Sequence, residues 1–318
     1  MSNKSPNVNI GGSKIAGLKR FSHQAMATTF EIFIVHDDKD CAQQAAIAAF
    51  EELDKIEAEF SRFIDNSDVS RINHLAANQP LVVGLDTFEC LKLCKRMHKE
   101  TNGAFDVTVG MLMDCWFAKD RTMRKPTKAE LDAARQNCGL DLIELDENNH
   151  TVKLKAAPMK IDLGGIGKGY AIDKMGRILR DWDIVTALLH SGSSSVLAIG
   201  SPEGKKGWPL TISNPLNHKE ILTSFSLKDG AVGASGVQKG RHIIDPRSGK
   251  PIEGKLAAWS SADTAGIADA LSTAFMILSG QEIENYCKKQ PKVSAFVILE
   301  HKTAQIPSDK LLKFGQTF

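Results

Sequence analysis

The chain has 318 residues, 42% hydrophobic and 25% charged, with 25 Gly and 11 Pro. This composition excludes collagen-like, mucin-like and mainly disordered chains and is enough for a substantial core in one domain or two. Forty Lys+Arg against 38 Asp+Glu give a formal charge of +2, too little for a phosphate-neutralising surface, so the expected partner is a small molecule or a protein and not nucleic acid.

Residues 1–23 are polar and glycine-containing, without an apolar period, a signal-type h-region or a cleavage site, and read as a flexible lead-in to one domain over 24–318. Phe30, Ile32 and Ile34 in TFEIFIV alternate as in a strand. Ala46, Ala49, Phe50, Leu53, Ile56 and Phe60 recur at helical spacing. A second helix runs from an N-cap at Asp86 to a stop at Gly103, and GAFDVTVG follows as a short extended segment. Thr127 with Glu130 forms a capping box closed by Gly139, and Leu142–Leu145 pairs with Val152–Leu154 as a hairpin.

The second half opens with Lys160-Ile161-Asp162 as a strand, then Gly164-Gly165 and a helix with Ala171, Ile172, Met175, Ile178, Leu179 and Trp182 on one face. Short strand-like runs fall at Ala187–Leu189, Val196–Ile199, Leu210–Ile212 and Phe225–Leu227, before a helix near Ile267–Leu278 and a late strand, AFVIL. Helices among non-alternating strands give an α+β fold. No run is long and apolar enough for a membrane span. Six cysteines without a CxxC pair fit reduced thiols in a cytoplasm.

Three segments carry candidate chemistry, each with a plain structural alternative. In DLGGIGKG, Asp162 to Gly169, the glycines let backbone groups approach a phosphate or metal where a helix begins, or serve a tight connection; the spacing is neither a Walker loop nor a dinucleotide fingerprint. Asp269 and Thr273 lie four apart on a helix and offer two hard oxygen donors suited to Mg²⁺, or else a helix start and a back-bonded hydroxyl. His242 precedes the turn Asp245-Pro246-Arg247-Ser248-Gly249, placed for proton transfer or simply for the turn.

Taken in order, MATTF, EAEFSRFIDNSDVSRIN, GAFDVTVG, KIDLGGIGKGYAIDKM, SGSSSVLAIG, SGVQKGRHIIDPRSGKPI and ADALSTAFMIL resemble the ApbE family of FAD:protein FMN transferases, from about residue 24 to about residue 280. The resemblance implies mixed sheets with packed helices and an FAD site between the two halves. It also implies a Mg²⁺-dependent enzyme that cleaves FAD, links FMN to a Ser or Thr hydroxyl of an acceptor flavoprotein and releases AMP. By motif position it makes the Gly165 carbonyl, Asp269 and Thr273 the metal ligands, with Ser272 adjacent. Met26, Phe63, Ala104, Phe105, Asp106, Asp162, Lys168 and Ile243 fall at the FAD contacts. His242 becomes the proton acceptor, and Lys168 offsets phosphate charge.

Two departures stand out. Ser191-Gly192-Ser193-Ser194-Ser195 replaces a segment that reads GGD in many members, and the Val237–Arg241 connection is short and lacks aromatic residues. The same site using water would be an FAD pyrophosphatase yielding FMN and AMP, and without turnover it would be an FAD-binding module. Retention of Asp269, Thr273 and His242 favours the transferase.

Overall fold

Phe30, Ile32 and Ile34 are fully buried on a strand in the computed structural model of the protein, which describes residues 15–118, 120, 122–238, 242–301 and 306–318. The strands are β1 (Leu18–Ala25), β2 (Thr28–Val35), β3 (Pro80–Val82), β4 (Ile143–Asp146), β5 (Thr151–Leu154), β6 (Ala187–Ser191), β7 (Ser195–Ile199) and β8 (Trp208–Asn214). They continue with β9 (Asn217–Leu227), β10 (Gly230–Gly236), β11 (Ile244–Asp245), β12 (Lys250–Pro251), β13 (Lys255–Ala262), β14 (Ser294–Leu299) and β15 (Leu311–Phe314). The helices are α1 (Lys39–Phe60), α2 (Asp68–Asn73), α3 (Leu85–Glu100), α4 (Gly110–Trp116), α5 (Lys128–Gln136), α6 (Gly167–Asp181), α7 (Ala265–Ile277) and α8 (Gly280–Lys289). The fold is α+β, and among the described residues no helix is long and apolar enough to cross a membrane.

The chain divides into two compact units, the first within residues 1–55, 168–238 and 254–318, the second within 56–167 and 239–253. The first holds an antiparallel sheet of order β1-β2-β6-β7-β10-β13-β14-β15. Its interior strand β6 is buried along its whole length, which is why ALLHS reads as a continuous run rather than an alternation. Leu188, Ala198 and Val232 of the sheet pack with Trp208, Leu210 and Leu227 of the β8–β9 hairpin, each large apolar side chain contributing roughly 1.5–3 kcal/mol. Helix α7 lies against β10 and β13.

The second unit contains the β3-β5-β4 sheet and a small core in which Leu112 and Cys115 of α4 meet Ala134 of α5 and Ile244. The capping box of Thr127 and Glu130 and the β4–β5 hairpin stand as the sequence predicts.

Four expectations are corrected. The lead-in does not extend through residue 23, because Leu18–Ala25 is an edge strand paired with β2; its half-exposed, polar-rich pattern hides the alternation. Residues 1–14 lie outside the described residues. Val107–Val109 is a turn of 3-10 helix leading into α4, because the Asp106 side chain caps it by accepting from the Thr108 N–H. Lys160–Asp162 is extended but belongs to no sheet: the Ile161 N–H donates to Asn73 Oδ1 (2.7 Å), and the Asp162 N–H donates to the Val107 carbonyl (2.7 Å). Helix α3 is capped by Gly84 rather than Asp86.

Candidate active site

In the first unit, the sequence of α7 sets its environment. Small residues line it, so neighbouring backbones come close: a Cβ on Gly233 of β10 would fall 2.3 Å from the Ala268 carbonyl oxygen, and one on Gly169 of α6 would fall 2.2 Å from the Ala265 oxygen. Inside this packing lies the Asp269 carboxylate, 1% exposed. It accepts the Gly169 N–H (3.1 Å) and the Ser194 hydroxyl (3.3 Å). Burial pushes its pKa up, and the Lys168 charge is the largest opposing influence. The turn that departs from GGD thus supplies a hydroxyl to this carboxylate.

Thr273 stands one turn further along α7, with Oγ1 3.0 Å from Ser235 Oγ of β10. Ser235 is also 2.8 Å from Ser272 Oγ, and Ser272 donates to the Asp269 carbonyl (2.8 Å). Asp269, Thr273, Ser235, Ser272 and Ser194 form an all-oxygen cluster with Lys168 close by. This donor set fits a hard divalent cation: a buried carboxylate drawn toward proton uptake is relieved by a positive charge. Within this unit, Asp269 and Thr273 are the residues that could hold it; Gly165 belongs to the second unit. Gly165 lies in the turn of residues 164–166 just before α6. Met26 sits with Ala27 in the two-residue β1–β2 turn, both at positive φ (49° and 56°), the backbone of a type I′ hairpin.

The second unit gathers most of the other expected residues. Arg62 joins two of them: its guanidinium pairs with Asp162 Oδ2 at 2.9 Å and lies 5.0 Å from the centroid of the Phe63 ring. Phe63 is 77% exposed, so an aromatic face is presented outward. Asp162 Oδ1 accepts the Gly164 N–H (2.8 Å), which shapes the glycine turn. Ala104 and Phe105 are buried. The Asp106 carboxylate is engaged internally, taking Thr108 Oγ1 (2.6 Å), the Leu140 N–H (3.2 Å) and His98 Nδ1 (3.1 Å). Its side chain therefore organises the segment, whatever its backbone touches. His242 is exposed and Ile243 buried, and the Ile243 carbonyl is fixed by the Ile252 N–H (3.0 Å). Of the Val237–Arg241 connection, residues 239–241 lie outside the described residues.

Sequence reading named Ser194 only as part of the Ser191–Ser195 turn and gave Arg62 and Ser235 no role. The fold brings these three to their partners.

Comparison with known proteins identifies the family. The model of the ApbE family matches residues 26–297. An FAD:protein FMN transferase of Salmonella typhimurium is 27% identical over 296 residues, spanning 87% of this chain and 83% of its own. Another, of Chlamydia muridarum, is 29% identical over 266 residues, spanning 79% and 81%. The crystal structure of the ApbE protein of Thermotoga maritima superposes with a TM-score of 0.80 at 28% identity, covering 92% of this chain and 97% of that one.

Proposed function

Since the chain belongs to the ApbE family, we propose that it is an FAD:protein FMN transferase that links FMN to a Ser or Thr hydroxyl of an acceptor flavoprotein and releases AMP. The observation that carries this reading is the buried Asp269 carboxylate with the Thr273 hydroxyl one turn away and Lys168 as its principal counter-charge. A Mg²⁺ ion held by Asp269, Thr273 and the Gly165 carbonyl would supply charge neutralisation at the pyrophosphate. In the balanced reaction the acceptor oxygen bonds to the FMN phosphorus, the bond to the AMP oxygen breaks, and the acceptor proton is taken up by His242. His242 is exposed, as a group that must meet a protein hydroxyl has to be. Lys168 offsets phosphate charge, while Phe63, Asp162, Met26, Ile243 and the segment Ala104-Phe105-Asp106 contact FAD. Transfer of this kind depends on positioning and charge stabilisation more than on covalent catalysis by the protein.

We place the enzyme and its acceptors in the cytoplasm, a reading supported by six cysteines that are all free thiols. The test incubates the protein with FAD and MgCl₂, with and without an acceptor domain, and follows AMP release and in-gel flavin fluorescence. A fluorescent acceptor with matching AMP is the expected result, lost in His242→Ala. Equal AMP with and without acceptor and no label makes the protein an FAD pyrophosphatase; bound FAD without AMP makes it a binding module.

A further inference from the structure

Three hydroxyls and one carbonyl lie in a row beside Asp269, and proton counting fixes the direction of every bond. Each hydroxyl has a single proton. Ser272 uses its proton on the Asp269 carbonyl (2.8 Å). Its 2.8 Å contact with Ser235 is therefore a bond that Ser235 donates. Ser235 then has no proton left for Thr273, so at 3.0 Å Thr273 donates to Ser235. The reverse assignment would leave two oxygens facing each other at 2.8 Å without a hydrogen between them. The relay runs Thr273 to Ser235 to Ser272 to the Asp269 carbonyl, and Ser272 at its core is fully buried.

We propose that Ser235 is a positioning residue for the cation site, drawing the Thr273 hydroxyl proton away so that the oxygen lone pairs of Thr273 face the ion. This deepens the transferase reading and rests on it. A hydroxyl binds a cation through its oxygen, so a proton turned toward the ion would repel it; anchoring that proton on β10 removes the wrong rotamer before binding. Partners of this kind beyond the ligands themselves tune metal affinity by about 10–100-fold. Ser235 sits on a strand of small residues, GAVGASG, so truncation to Ala leaves the packing intact.

The experiment titrates MgCl₂ against the melting temperature of the full chain without FAD, in wild type, Ser235→Ala, Ser272→Ala and the double variant. Expected is a Ser235→Ala protein that melts cooperatively, within a few degrees of wild type in the absence of cation, with its MgCl₂ midpoint raised about tenfold. KM for FAD at saturating MgCl₂ changes less than the MgCl₂ midpoint, since the substitution acts through Thr273 and the ion. Ser272→Ala turns the Ser235 proton onto Thr273 and weakens MgCl₂ binding; removing Ser235 as well releases that lone pair, so the double variant binds MgCl₂ more tightly than Ser272→Ala. If Ser272→Ala does not fold, Ser235→Thr, which keeps the hydroxyl, is expected to restore the midpoint that Ser235→Ala loses. An unchanged midpoint in Ser235→Ala, or strictly additive shifts in the double variant, overturns the relay. A wild-type protein with neither an MgCl₂-dependent shift nor FMN transfer overturns the reading beneath it instead.

Discussion

Arg62 and Asp162 are 100 positions apart in sequence and 2.9 Å apart in space, and the guanidinium that makes this pair also covers one face of the Phe63 ring. One side chain thus sets the place of two residues expected to contact FAD. With the Arg62 side chain 35% exposed, the pair itself adds no more than about 1 kcal/mol to stability. Arg62→Gln is expected to leave the melting temperature nearly unchanged and to raise KM for FAD about three- to tenfold with kcat largely preserved. Steady-state kinetics over a range of FAD concentrations checks this, and an unaltered KM would remove Arg62 from the site.

Helices α6 and α7 are clipped together by carboxylates running in opposite directions. Asp173 of α6 accepts the N–H groups of Ala265 (2.7 Å) and Gly266 (2.8 Å) at the start of α7, while Asp269 of α7 accepts from Gly169 of α6. Thr264 caps only Ile267 with its side chain, so Asp173→Ala strands two buried amides. The expected loss is about 2 kcal/mol, measured by urea unfolding. Gly169→Ala is expected to cost at least as much despite the better helix propensity of Ala, because its Cβ would meet backbone at 2.2 Å.

Burial raises the Asp269 pKa above its ordinary 3.8, against the Lys168 charge. The native state therefore holds a proton that the unfolded chain has already released. Without cation, stability falls as pH climbs from 3.8 through the raised value and stays lower above it. Asp269→Asn is expected to reduce that dependence, leaving the part due to Asp173, whose pKa burial pushes up to about 6, and to match or exceed wild type in melting temperature at pH 8 in EDTA. With MgCl₂ the order reverses, because only wild type gains from the ion.

His98 behaves in the opposite sense. Its hydrogen bond to Asp106 is the main cause that raises its pKa above the ordinary 6.5. The stabilisation is fully present below 6.5 and is lost as pH rises through the raised value. Thermal melts between pH 5 and 9 are expected to show wild type converging on His98→Gln at the alkaline end; curves that stay parallel would show that the pair contributes nothing through titration.

The features that neighbouring residues dictate are local ones. Thr127 and Glu130 cap α5 because a hydroxyl and a carboxylate three residues apart satisfy each other's backbone amides wherever they occur. Asp269 and Thr273 share a face of α7 because four residues is one helical turn. Phe30, Ile32 and Ile34 point to one side because a strand alternates. Long-range packing sets whatever depends on partners far along the chain. Leu18–Ala25 is a strand only because β2 offers it a ladder. Lys160–Asp162 is extended without a sheet because Asn73, some 88 positions earlier, bonds its backbone. Ser235 reaches Thr273 because Gly233, two residues before it, lets β10 approach α7 to backbone contact. These residues carry no local pattern, since nothing in their immediate neighbours requires them; their roles exist only once hydrogen bonds close over long stretches of chain.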